Sequence, residues 1–361
     1  MKNPFVILLL SAVLTAGMIQ YIHADNISVY GKLKHDNDLD GSVDSVAFSP
    51  DGTMLASAYN IRVGASPWIS KRSGQGGTIK GYVILWDVNT KKMIDTITCS
   101  GYICCVAFSP DGKLLAAAHS DEQGKQKVRL LDAATRKDRY SLSIEEDKVL
   151  TRSVSAIVFY PDGKKFIVGT TGYPKGAELI IFDLELGNRQ STLKVGEMSL
   201  SSLSFSLDGK LLTTSSENIV KVWDISKDKE RNSFSVGRGN LSVMSPDGDT
   251  IAVSTTGSRN YPGKVGLTLH DAKTGKERID FKCLRTGTTI LFTPDGKNII
   301  YGYGGIISFF DSTTGKRIWS TDGPNFSSMA ITRKGNLIAT GNNSGTVWLW
   351  EIGTHKQLHE K

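Results

Sequence analysis

This chain is poor in the residues on which most enzymes and metal proteins are built. It has 4 cysteines and 6 histidines in 361 residues. Cys99, Cys104, Cys105 and Cys283 form no CxxC or CxxCH, so the usual zinc and covalent haem frameworks are excluded. The histidines are scattered and none forms a cluster. No HExxH helix and no GxSxG nucleophile turn occurs. Gly74-Gln75-Gly76-Gly77 is glycine-rich but does not join a strand to a helix. Residues 257–264 imitate a phosphate loop with the wrong spacing, and Val265 stands where a hydroxyl is needed. The composition therefore argues against an enzyme. Basic residues outnumber acidic ones by 43 to 36, yet they never run together. A net charge of +7 without a basic cluster suits solubility better than nucleic-acid binding.

Long hydrophobic runs are also missing, with one exception at the N-terminus. Lys2 is followed by an apolar stretch over residues 4–18, and Ala24 then precedes the polar Asp25. That order predicts a secretory signal over residues 1–24 and a mature chain over 25–361. The rival is an uncleaved membrane anchor, because residues 4–22 carry no charge and are long enough to cross a bilayer. Either reading places the remainder outside the cytoplasm, periplasmic or secreted. In such a compartment cysteines can oxidise, and Cys99 is near enough in sequence to bridge to Cys104 or Cys105. Small buried strand residues are the preferred reading of all four.

What the chain has in abundance is repetition. VAFSPDG at 46–52 recurs verbatim at 106–112. It returns as IVFYPDG (157–163), LSFSLDG (203–209), SVMSPDG (242–248) and ILFTPDG (290–296), and most weakly as MAITRKG (329–335). A second signal follows each copy, among them VILWDVNTKK (83–92), VKVWDISKDK (220–229), ISFFDSTTGK (307–316) and VWLWEIGTHK (347–356). Residues 45–49 alternate as a half-buried strand does, and Pro50-Asp51-Gly52 is turn chemistry. Four short strands per repeat of roughly forty residues predict one propeller blade. A lone blade has two apolar faces, and only stacking in a ring buries both.

These paired signals resemble the WD-repeat family of β-propellers, over roughly residues 27–361. Trp86-Asp87, Trp223-Asp224 and Trp350-Glu351 carry the signature best. The resemblance implies an all-β, seven-bladed propeller of four-stranded antiparallel blades. It also implies that an N-terminal strand, here residues 27–33, completes the last blade beside residues 347–350. The family's Gly-His dipeptide is missing from every copy, so its His–Asp–Ser/Thr–Trp hydrogen-bond network cannot form in the familiar way. Residues 311–319, ending in Trp319, are similar to the repeat of pyrroloquinoline-quinone dehydrogenases, but the matching place one repeat earlier holds Ile279.

The irregular lengths fall in the connections 59–80, 119–127, 170–177 and 255–264, between second and third strands, and in 144–153, between blades. In a propeller of this type these connections open on one face, the top. Unequal loops on one face of a repeat scaffold mark a binding face. They carry Arg62, Trp68, Lys71, Arg72, Tyr173, Lys175, Arg259, Tyr261 and Lys264, the side-chain types that dominate interfaces. The expected role is a non-catalytic protein-interaction platform. The alternatives are a quinoprotein-like redox propeller and a binder of glycans or envelope polymers. Before the first blade, Asp36, Asp38, Asp40 and Asp44 with Gly41 resemble the DxDxDGxxD calcium loops of integrin-type propellers, which makes calcium a possible ligand. The membrane enters only through an uncleaved N-terminal segment.

Overall fold

The computed structural model describes residues 27–34, 41–63, 78–144, 152–172, 176–196, 199–227, 229–237, 241–255, 265–283 and 285–353. Its regular elements are strands, apart from one three-residue 3-10 helix at Ile225–Lys227. The strands form seven sheets of four, every neighbouring pair antiparallel where its register is defined. Blade one runs Gly41–Phe48, Met54–Val63, Thr78–Asp87 and Met93–Cys99, from the ring's centre outward. Blades two to six repeat that order. The innermost strands pack on one another around the ring, and that of blade seven, Ser328–Ile331, meets that of blade one.

Ring closure follows the sequence expectation. Ile27–Lys34 is the outermost strand of blade seven and pairs antiparallel with Thr346–Ile352. Leu33, at 1% exposure, is shared between blades seven and one.

The core is divided in the way period-two strands demand. Seven clusters of buried apolar side chains occur among the described residues, one at each junction between neighbouring blades. Adjacent residues of one strand feed different junctions. Leu55 packs toward blade seven and Ala56 toward blade two, and Phe166 and Ile167 divide likewise between blades two and four. Each fully buried Leu, Ile or Phe contributes about 1.5–3 kcal/mol of transfer free energy. No blade keeps that contribution without its neighbours.

Five of the seven turns leaving the innermost strands are made alike. Ser109 Oγ donates to Asp111 at 2.6 Å, and the Leu114 N–H donates back to Ser109 Oγ at 2.9 Å. Gly112 closes the turn at φ 73°, a left-handed conformation that costs glycine nothing. Ser49/Asp51, Ser206/Asp208, Ser245/Asp247 and Thr293/Asp295 repeat the arrangement.

The family network missing its histidine survives by half. Trp86 Nε1 donates to Ser57 Oγ, Trp223 Nε1 to Thr214 Oγ1 and Trp350 Nε1 to Thr340 Oγ1, each at 3.0 Å. Blades one, four and seven therefore keep a buried polar tie between second and third strands. The four cysteines are unbridged. Cys99 is buried on a strand as expected, whereas Cys104 and Cys105 are only half-buried on theirs and Cys283 is half-buried beyond the end of a strand. No helix among the described residues is long and apolar enough to cross a membrane, and residues 1–26 lie outside them.

Candidate interaction face

Strand alternation places the connections between second and third strands, and those between blades, on one end of the ring. Of the nine side chains expected to bind a partner there, Arg62 is described. Trp68, Lys71, Arg72, Tyr173, Lys175, Arg259, Tyr261 and Lys264 lie outside the described residues. Arg62 is on a strand rather than in a loop. Met54–Val63 and Thr78–Asp87 are 10 residues each, and their register continues through Ile61↔Lys80, Arg62↔Ile79 and Val63↔Thr78. The span read as a connection from residue 59 begins with Tyr59 buried in the strand at 3% exposure, close to the Tyr82 ring opposite it. The alternation of Tyr59, Ile61 and Val63 against Asn60 and Arg62 carries the pairing further than the repeat pattern indicated. Arg62 and Val63 are exposed on this ribbon.

Of the four aspartates read as a calcium loop, Asp36, Asp38 and Asp40 lie outside the described residues. Asp44 is on the innermost strand of blade one, where the register shifts between Val43 and Ser45. Its carboxylate accepts from Asn60 Nδ2 at 2.6 Å and from Ser42 Oγ at 3.2 Å. Asn60 also spans the junction to blade two. Its Nδ2 donates to the Ile103 carbonyl and its Oδ1 accepts the Ile103 N–H, both at 2.8 Å. The half-exposed Tyr102 completes the group. Burial and the neighbouring Asp44 carboxylate raise its phenol pKa well above the ordinary range. Among the described residues no three of His, Cys, Asp and Glu stand where they could hold a metal ion.

The shift at Asp44 is one of four. Matching bulges fall between Ile103 and Cys105, Val154 and Ala156, and Leu200 and Ser202. A bulge inserts one residue, bends the strand and re-aims side chains. In blade two it sets the Cys104 and Cys105 sulfurs 3.7 Å apart, although the two residues are adjacent in a strand. The innermost strands of blades five to seven are four residues long and run without a shift. The bulges were present in the sequence as an apolar spacing of three where alternation requires two: Val43 to Val46, Ile103 to Val106, Val154 to Ile157 and Leu200 to Leu203.

Beside the second bulge, His119 is buried at 4% exposure. Its Nδ1 lies 2.8 Å from the Ser120 carbonyl, while Nε2 has no hydrogen-bond partner among the described residues. Burial holds its pKa below the ordinary imidazole value. Lys127 pairs with Asp121 at 3.1 Å on the same end of the blade.

The tryptophan of the quinone-dehydrogenase-like stretch lies at the other end of the ring. Trp319 stacks on Phe309 with centroids 4.4 Å apart and planes at 25°.

Seven stacked four-stranded blades, five innermost turns of Ser/Thr-x-Asp-Gly type and three Trp-to-hydroxyl ties make the chain a seven-bladed β-propeller carrying WD repeats. The family model described as "WD domain, G-beta repeat" matches residues 31–65, 91–124 and 187–224. A second model, described as "Outer membrane protein assembly factor BamB", matches residues 208–350. The chain is similar to telomerase protein component 1 of Rattus norvegicus, 25% identical over 227 residues, covering 61% of this chain and 8% of that protein. It is similar to small ribosomal subunit protein RACK1 of Neurospora crassa, 30% identical over 154 residues, covering 40% of this chain and 44% of that one. Coronin-like protein crn1 of Schizosaccharomyces pombe is 31% identical over 166 residues, covering 44% and 26%. The chain thus spans less than half the length of each of these relatives.

Proposed function

We propose that this propeller is a non-catalytic protein-interaction platform that works outside the cytoplasm and engages its partner through the top-face loops. The observation that carries the reading is the asymmetry of the ring. Its short-turn end repeats one compact turn, whereas the other end carries bulged inner strands, an extended ribbon bearing Arg62 and every long connection. Binding residues concentrate where a rigid repeat scaffold is elaborated. The names of the relatives support it: one is a ribosomal subunit protein, another a telomerase component, and a third is MST50-interacting protein 11 of Pyricularia oryzae. The apolar run over 4–18 and the match to an outer-membrane assembly factor support an extracytoplasmic location.

A cross-linking pull-down from the native envelope or secreted fraction tests the platform. It compares wild type with a Trp68→Ala/Tyr173→Ala/Tyr261→Ala triple variant of matched melting temperature. A protein captured by wild type and lost in the variant supports the reading. Undiminished capture removes the top face from it, and recovery of the chain from cytosol alone removes the location.

The second reading, a quinoprotein-like or glycan-binding propeller, draws on the match over residues 208–350 and on Trp319. Cofactor absorbance in protein purified from its native source, or salt-sensitive retention on an anionic glycan, would favour it. Calcium at Asp36, Asp38, Asp40 and Asp44 is tested by melting in calcium and in chelator, where a ligand of the folded state raises the midpoint.

A further inference from the structure

The seventh copy of the turn departs from the other six in charge. Where they place an aspartate three residues before the next strand, blade seven has Thr332-Arg333-Lys334-Gly335. Its geometry is nevertheless retained. Gly335 has φ 71°, its N–H donates to the Thr332 carbonyl at 2.9 Å, and the Leu337 N–H donates to Thr332 Oγ1 at 3.2 Å. The acceptor role of the absent carboxylate has passed to Asn336, whose Oδ1 takes the Thr332 hydroxyl at 2.8 Å. The turn therefore does not need Arg333 or Lys334. Both are exposed, and neither side chain has an ion pair or hydrogen bond among the described residues.

These two cations border a cavity of about 520 Å³ between blades six and seven, on the short-turn face. Its wall includes Trp319, stacked on the buried Phe309, together with Ile318 and Ile352. The corresponding turn of blade six supplies Asp295, which is engaged locally by Thr293 Oγ1 at 2.6 Å and the Lys297 N–H at 3.1 Å. Two cations with no ion pair among the described residues thus share an aromatic wall with one locally engaged carboxylate. The size falls within the roughly 300–1,000 Å³ of ligand pockets, and an apolar wall with a few convergent polar groups is their usual chemistry.

We infer that this cavity is a second binding site, distinct from the top face, for an acidic peptide segment of a protein partner, with an apolar or aromatic side chain against Trp319 and flanking carboxylates on Arg333 and Lys334. Charge complementarity selects the acidic sequence, and the indole wall selects the side chain between the acids.

The test uses fluorescein-labelled, end-blocked pentapeptides and the whole chain, read by anisotropy in low salt. Glu-Glu-Phe-Glu-Glu is compared with Lys-Lys-Phe-Lys-Lys and Glu-Glu-Gly-Glu-Glu. Saturable binding of the first is expected, about tenfold tighter than either control, a difference of about 1.4 kcal/mol. The R333P/K334D variant restores the turn found in blade six. It is expected to melt at or above the wild-type temperature, yet to weaken the acidic peptide about tenfold. Trp319→Leu keeps an apolar wall and should remove the preference for Phe over Gly while leaving the preference for Glu over Lys. Equal binding of acidic and basic peptides, no saturable binding, or unaltered affinity in R333P/K334D overturns the proposal. A fall in affinity on substituting the top-face residues instead would assign acidic binding to the other end and overturn it equally.

Discussion

Leu33 lies directly opposite Val347 in the seventh sheet, so the first strand of the described fold and its last share one blade. The pairing joins two distant parts of the chain and covers the edge of Thr346–Ile352, giving blade seven the four strands of the others. It also makes the stability of the ring depend on a side chain outside the repeats.

Leu33→Ala is accordingly expected to destabilise the whole propeller by about 2–5 kcal/mol, as for other fully buried leucines. Chemical denaturation followed by far-UV circular dichroism would show a lower midpoint. If the ring closes cooperatively, the transition stays single. A small separate transition for blade seven would show that closure is local.

The Trp86–Ser57 tie predicts an asymmetry between its partners. Trp86→Phe removes the indole N–H and leaves a buried hydroxyl with a weaker contact at 3.4 Å to the Ile84 carbonyl. The expected cost is about 1–3 kcal/mol for the underserved polar group, added to the lost packing. A double cycle with Ser57→Ala isolates the tie, because the second substitution removes the stranded group. A coupling near zero would mean that the indole serves packing alone.

Acid should unfold the protein in two stages. Burial depresses the pKa of His119, so the unfolded chain binds its proton first, and stability falls as pH drops below about 6.5. The turn carboxylates follow. Hydrogen bonds from Ser49, Ser109 and Ser206 hold Asp51, Asp111 and Asp208 below the ordinary aspartate value. Their contribution is present above about pH 4 and is lost below it as the folded state is forced to protonate. Melting temperatures from pH 7.5 to 3 should show both slopes. His119→Gln should flatten the upper one and Asp51→Asn reduce the lower.

The thiols should be sluggish. Burial raises the pKa of Cys99 and of Cys283, and the neighbouring Cys104 thiol together with burial raises that of Cys105. At pH 7 these three should resist alkylation in the native protein and react promptly in denaturant, since the thiolate is the nucleophile. Mass spectrometry of iodoacetamide-treated protein, digested after quenching, measures each site. Rapid native labelling of Cys105 would show that the bulge opens.

Much of the fold was legible because a propeller repeats its local rules. Most of the turns are specified by a hydroxyl, an aspartate and a glycine within a few residues, and the strands by alternation. Seven copies in register then leave little freedom in the architecture. The strand at 27–33 could be assigned to blade seven because the family resemblance implies an N-terminal closing strand, which its pairing with Thr346–Ile352 shows. The candidate sites were less legible. Arg62 is exposed, but on a strand rather than in the loop expected for it, since a loop and an extended hairpin begin with the same residues. Asp44 was grouped with its acidic neighbours in sequence, whereas its described partners, Asn60 and Ser42, are fixed by strand pairing.

The sequence by itself determined the number of blades and the chemistry of their turns, because these depend on contacts between residues near in sequence or on counting, and the strand that closes the ring came with the family resemblance. Only the tertiary structure decided that Asn60 bridges to Ile103, that Trp319 stacks on Phe309 beside a cavity, and that Arg333 and Lys334 border it without an ion pair among the described residues. Those relationships depend on how one blade is set against the next. Side chains from different blades meet at angles and distances that no local pattern encodes.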